Sequence, residues 1–351
     1  MQNNIFLSGL TVLTFLTAPT AFAANGPKLN EIQILGSHNS YRPVPDTATQ
    51  ANLDSLPNHA GQGLEYGHPD ITTQLNLGVR QLEFDPYADT TGGLYAGPYD
   101  KTAPDYATMA APGLKVLHIP TLDYRSHCIT LRACLTQVAD WAKAHPDHDT
   151  IILFINTKEE PVNDPRVTKP ALYSEADLAE VDADARDILG ADKLITPDTI
   201  RGHYKTLRDG VMAGNWPLAA DAKGKFMLVL DSNPRIADLY RQGHPSLAGR
   251  VMFGLYAETD AEAAVFNIQD PRPEAAHITQ LVKQGFFVRS RADANTSEAR
   301  THDLKRFDAA VNAGAQAIST DYYEGAPDPY GFKFVVRMKQ GFKQTNPLFQ
   351  K

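Results

Sequence analysis

Short apolar runs, many of them β-branched, recur at intervals along the chain: Glu31–Leu35, Val79–Phe84, Lys115–Ile119, Ile151–Ile155, Phe226–Leu230, Val251–Tyr256, Phe286–Arg289 and Ala317–Thr320. Most are continuously apolar rather than alternating, the pattern of parallel strands covered on both faces. Helical patterns fall between several of them. Leu131, Leu135, Val138 and Ala142 recur at helical spacing ahead of His145-Pro146, as do Ile278, Leu281 and Val282 ahead of Gly285, and Leu304, Phe307, Ala310 and Val311 ahead of Gly314. Eight strands alternating with helices predict an α/β fold, a single (β/α)8 barrel of the TIM type, for which about 250 residues is usual. A doubly wound open sheet is the alternative, but neither of its usual phosphate loops, G-x-G-x-x-G or G-x-x-x-x-G-K-[ST], occurs. We therefore expect a closed barrel.

Two connections are long and rich in aromatic residues: Arg42 to Asp70, and Pro86 to Gly113, which carries Tyr87, Tyr95, Tyr99 and Tyr106. Both follow strand ends, on the face where barrel enzymes keep their active sites. They read as a substrate-binding rim or as surface elaboration, and the tyrosine loop as ordinary packing or a transient membrane-surface contact.

The apolar stretch Ile5–Leu16 followed by Ala21-Phe22-Ala23 reads as a signal peptide cleaved after Ala23. It is too short for a span of about 20 apolar residues. The expected mature chain, 24–351, is one exported domain, soluble in the periplasm or outside the cell. Cys128 and Cys134 are the only cysteines, and in an oxidising compartment they predict a local disulfide. A net charge of −8 with no Lys/Arg run argues against nucleic acid as the main partner.

Polar residues cluster just after the apolar runs, where the carboxyl ends of barrel strands converge. Gly36-Ser37-His38-Asn39-Ser40-Tyr41 follows the first run, the second leads into Glu83-Phe84-Asp85, the third ends at His118, and the fourth reaches Asn156, Lys158 and Glu159. Glu83 and Asp85, two apart on an extended backbone, point the same way. With the amide oxygen of Asn39 they suit a hard cation, calcium ahead of magnesium. The other reading is a structural salt-bridge network in which Arg80, Arg289 or Arg291 relieves carboxylate repulsion. Two histidines beside an oxygen-bound cation supply a general acid, a general base and an electrophile, as phosphodiester cleavage requires.

The H-N-S-Y element, the E-F-D pair, Val116-Leu117-His118, Ser290-Arg291-Ala292-Asp293 and Ala315–Tyr322 together resemble the bacterial calcium-dependent phosphoinositide-specific phospholipase C family, over most of the mature chain. The resemblance implies that His38 and His118 are the catalytic pair, and that Asn39, Glu83 and Asp85 bind calcium. It implies attack of the inositol 2-hydroxyl on a phospholipid phosphodiester, releasing diacylglycerol and a cyclic inositol phosphate that water then opens. Family members are similar to the eukaryotic phospholipase C barrel, which has a calcium-binding Glu where this chain has Asn156. Strand parity sets Asn156 and Lys158 on one side and Glu159 on the other. Glu159 is taken as the fourth ligand, with Asn156 in its place or Lys158 on the phosphate as alternatives. Arg291, Asp293, Asp321 and Tyr322 would hold phosphate and sugar hydroxyls, or form salt bridges at the barrel rim. No protein partner is implied.

The nearest rival, a glycerophosphodiester phosphodiesterase, typically carries His-Arg-Gly where this chain has His38-Asn39-Ser40. A catalytically silent lipid- or sugar-binding barrel is the alternative from another class, against which both retained histidines argue.

Overall fold

A computed structural model describes residues 26–350, so the expected leader at 1–23 lies outside the described residues. The strands are β1 (Ile32–Ser37), β2 (Gln81–Phe84), β3 (Pro86–Tyr87), β4 (Lys115–Val116), β5 (Ile151–Asn156), β6 (Leu194–Ile195), β7 (Phe226–Asp231), β8 (Phe253–Gly254), β9 (Val265–Asn267), β10 (Phe287–Arg291), β11 (Ala317–Thr320) and β12 (Lys343–Thr345). The main sheet runs β6-β7-β5-β2-β1-β11-β10-β9, with β8 also paired to β7 and β12 to β1. Every pairing in it is parallel except that of β12. Its strands are nearly all buried, as continuous Val/Ile/Leu runs require when helices cover a sheet.

Register explains how the sheet curls. β5 pairs with β7 along its full length, so β6, at Phe226 and Met227, and β8, at Val229 and Leu230, share the other edge of β7. Likewise β12 pairs with β1 at Ile32–Ile34, and β2 joins β1 only at Gly36 opposite Gln81. A Cβ on Gly36 would come within 2.1 Å of the Gln81 side chain, so only glycine lets the two strands meet there. Between β8 and β9 a single parallel bridge, Leu255 to Val265, stands in place of a ladder. The expectation of a closed barrel is corrected accordingly. The fold is a mostly parallel, TIM-like sheet curled into a half-barrel, with a seam that short strands leave almost unpaired.

The helices follow the apolar periodicity. Leu131–Ala144 starts at Thr130, whose side chain accepts from the Ala133 N–H, and buries Leu131, Leu135, Val138 and Ala142. Pro271–Lys283 buries Ile278, Leu281 and Val282. Lys305–Ala313 ends at Gly314, whose φ of +89° is the left-handed stop that glycine adopts freely. Among the described residues no helix is long and apolar enough to cross a membrane.

Two strand assignments change. Of Lys115–Ile119 only Lys115 and Val116 are extended, and they pair antiparallel with β3 in a separate two-stranded sheet, leaving His118 on a loop. The main sheet instead takes in β6, β9 and β12, each only two or three residues long and too short to register as an apolar run. The tyrosine loop makes a core of its own: Tyr87, Tyr95 and Tyr99 are buried with Met109, Leu117 and Tyr124, and Tyr106 is packed against them. Cys128 and Cys134 are disulfide-bonded, with Cα atoms 5.0 Å apart.

Candidate active site

Beyond β1 the chain turns sharply through Asn39, at a φ of +50°, and the Arg42 N–H closes the turn on the Asn39 carbonyl at 2.9 Å. The two serines of the motif lash this turn to β2. Ser37 and Ser40 share a 2.6 Å hydroxyl contact, Ser40 Oγ accepts from the Glu83 N–H at 2.8 Å, and the Ser40 N–H donates to the Glu83 carbonyl at 3.0 Å. Asn39 is thereby held beside Glu83.

The oxygen cluster at these strand ends is incompletely paired. Asn39 Nδ2 donates to Tyr66 Oη at 2.8 Å, leaving Asn39 Oδ1 buried without a donor. Asp85 is fully buried, and neither of its carboxylate oxygens accepts a hydrogen bond. The Lys158 ammonium lies 3.2 Å away, and burial raises the Asp85 pKa. Glu83 pairs with Arg289 and accepts from Asn156 Nδ2 at 3.2 Å; burial pushes its pKa up, but Arg289 together with the other cations around it, Lys158 and Arg291 among them, brings it down to about 2. Buried acceptors without donors are costly. Asn39 Oδ1 and Asp85 Oδ1 have no donor and Asp85 Oδ2 has only the Lys158 ammonium, and oxygens of this kind, from a carboxylate and an amide, suit calcium. Among the described residues no three His, Cys, Asp or Glu side chains converge as a ready metal cage.

Glu159 does not join this cluster. It accepts from Arg235, from Asn233 Nδ2 at 2.8 Å and from the Tyr173 N–H at 3.1 Å. Against the cost of burial, those bonds hold it down at about 2. β5 ends at Asn156, and beyond it Lys158 reaches Asp85 while Glu159 is drawn away to Arg235, so the fourth-ligand assignment to Glu159 is corrected.

Each histidine is paired with an aspartate. His38 Nδ1 lies 3.1 Å from Asp321 Oδ1, and Arg291 donates both to His38 Nε2 at 3.1 Å and to Asp321 Oδ2 at 3.0 Å. A donor at Nε2 places the ring proton on Nδ1. Burial, reinforced by Arg291, lowers the His38 pKa to about 4. His118 Nδ1 lies 2.8 Å from Asp123 Oδ2, and Tyr87 Oη donates to the His118 carbonyl at 2.8 Å. Both histidines lie within electrostatic reach of the cluster, His38 of Glu83 and His118 of Asp85.

Arg291 and Asp321 thus surround His38, but two residues expected to hold substrate are turned to structural work. Asp293 is fully buried behind Asp321, accepting from the Asp321 N–H at 3.0 Å and from the Thr320 hydroxyl. Tyr322 is buried, its hydroxyl donating to the Glu65 carbonyl at 3.2 Å. The salt-bridge reading of the carboxylate pair holds for Arg289 at Glu83; Arg80 instead stacks over Trp141.

Sequence reasoning missed Asp123 and Asp231. Asp231 ends β7, accepts from Asn267 Nδ2 at 2.6 Å, and is raised by burial to about 6. Its place after an apolar run was the same signal that marked Glu83. Asp123, five residues after His118, carries no comparable signal.

Residues 28–347 match the model of the Ca2+-dependent phosphoinositide phospholipase C family. The chain belongs to that family. It is therefore a phosphodiesterase of the phosphoinositide phospholipase C type, and its family is calcium-dependent. Among solved structures it is similar to the calcium-dependent phosphoinositol-specific phospholipase C of a Gram-negative Pseudomonas species in apo form. That match has 17% identity over 91% of this chain and 95% of the other, with a TM-score of 0.58. The myo-inositol complex of the same enzyme gives the same score. A Ca2+-dependent phosphatidylinositol-specific phospholipase C from Streptomyces antibioticus matches with 19% identity over 84% of this chain and 95% of the other, at a TM-score of 0.54. At these identities the structural likeness supports the fold alone. No curated protein matches the chain by sequence.

Proposed function

We propose that this family member is an exported phospholipase C that cleaves phosphatidylinositol-type lipids to diacylglycerol and a cyclic inositol phosphate, by histidine acid/base catalysis. The observation that carries the reading is the pairing of two histidines with two aspartates around one under-paired oxygen cluster. Asp321 holds the proton of His38 on Nδ1, so Nε2 offers a lone pair. Neutral at pH 7 because its pKa is depressed, His38 is the base for the inositol hydroxyl. The hydroxyl takes the position of Arg291 at Nε2, and Arg291 turns its charge to a phosphate oxygen. Asp123 orients His118, which delivers a proton to the departing diacylglycerol oxygen. In opening the cyclic phosphate the two histidines exchange roles.

Asn39, Glu83 and Asp85 would hold calcium. Bound there, calcium would neutralise phosphate charge and make the attacking hydroxyl more acidic. Lys158 adds a cation for the phosphate. The single mature domain 24–351, the leader at 1–23 and export belong to the same proposal, supported by the Cys128–Cys134 disulfide. Replacing His118 by Ala tests the reading. Turnover should fall by about 10²–10⁴-fold with calcium binding intact, whereas a silent binding barrel would keep its ligand affinity and have no turnover to lose.

A further inference from the structure

We infer that Arg42 is a positioning residue for the proton-delivery step, acting on His118 through Asp123. The inference rests on the proposed role of His118 as the acid. His118 sits on a loop, with no strand ladder to fix it, and its imidazole is oriented by Asp123 alone among the described residues. Asp123 Oδ2 is shared: His118 Nδ1 lies 2.8 Å from it, and Arg42 Nε donates to it at 2.6 Å.

Arg42 is itself immobilised. It is fully buried, its guanidinium lies 4.5 Å from the Tyr66 ring centroid, and Nη1 donates to the Tyr66 carbonyl. Its backbone closes the turn after β1 and accepts from the His68 N–H at 2.9 Å. The rigidity of a strand end is thus carried across 81 residues of sequence to Asp123 and, through it, to a loop-borne histidine. Nη2 is buried without an acceptor, a cost that a guanidinium kept only for packing need not bear. In the step concerned, the phosphorus–oxygen bond to diacylglycerol breaks, its electron pair stays on that oxygen, and the oxygen takes the proton from His118 Nε2. Asp123 remains ionised throughout. A carboxylate free to rotate would misaim the ring, and small displacements of a reacting group are expensive in rate.

The test compares two inositol phosphodiesters, phosphatidylinositol with its poor alkoxide leaving group and a 4-nitrophenyl ester whose phenolate leaves without a proton. Arg42→Met should lower kcat on the lipid by about 10–100-fold with KM unchanged, and on the nitrophenyl ester by less than about threefold. Arg42→Lys should recover part of the loss on the lipid, and it carries the test if the Met variant does not fold. Equal losses on both substrates, or a rise in KM alone, would overturn the inference. His118→Ala is the control for the underlying reading. If its loss is also indifferent to the leaving group, the acid assignment of His118 fails, and the role of Arg42 fails with it. If only the Arg42 variants are indifferent, the assignment of His118 stands and the coupling is refuted.

Discussion

The Lys158 ammonium lies 3.2 Å from the Asp85 carboxylate, which accepts no hydrogen bond from any described residue. A cation of the chain itself therefore occupies the oxygen cluster, held by Asp85 and, at longer range, by Glu83. Calcium bound at Asp85 must compete with it. Lys158→Met should bind calcium about tenfold more tightly by calorimetry, since a like charge is removed from the site. Its metal-free form should be less stable by roughly 1–3 kcal/mol, because a buried carboxylate loses its counter-charge. Unchanged affinity and melting would refute the competition.

Asp321→Asn addresses the tautomer of His38. The amide can donate where the carboxylate only accepts, which favours the imidazole with its proton on Nε2, the wrong nitrogen for a base. Turnover should fall by about 10²–10⁴-fold, the range seen when an orienting carboxylate is neutralised, with little change in folding. A loss under about threefold would show that Asp321 does not set the tautomer.

His38 also makes a pH prediction. Its folded pKa, about 4, lies below the ordinary 6.5, so between these values the unfolded chain binds a proton that the folded chain refuses. The stability contributed by a neutral His38 is complete above pH 6.5 and is lost as pH falls toward 4. In the metal-free protein at pH 5.5 the His38 imidazole should be neutral by NMR, where an ordinary histidine is about nine-tenths protonated. A titration midpoint near 6.5 would contradict the buried, Arg291-facing environment.

The disulfide closes a short loop between the segment bearing Asp123 and the helix Leu131–Ala144. Cys134→Ser should cost roughly 2 kcal/mol of stability, as loop-closure entropy gives for so short a ring. Thiol titration of the denatured protein should find no free thiol before reduction and both cysteines after it. Free thiols in the unreduced chain would contradict the pairing.

What could be read from sequence was local. Polar residues at or just after the end of an apolar run mark a strand end in a parallel sheet, and Glu83, Asp85, His38 and Asn156 were singled out that way. Parity could not decide between Lys158 and Glu159, because β5 ends at Asn156. The choice of Glu159 as a ligand failed because its partner, Arg235, lies 76 residues further on. Lys115–Ile119 has the composition of a buried strand, yet its partner is the antiparallel Pro86–Tyr87, set by a tertiary packing of tyrosines that no periodicity records. β9 was invisible because three residues suffice for a strand when the neighbouring β10 supplies the ladder. The Arg42–Asp123–His118 connection joins residues whose spacing carries no motif.

The most direct measurement is hydrolysis of phosphatidylinositol by the purified chain, with calcium and then with a chelator, followed by phosphorus NMR of the water-soluble products. The account predicts a cyclic inositol phosphate that forms only with calcium and gives way to the open monophosphate. Turnover that persists in chelator, or an acyclic phosphate as the first product, would contradict it.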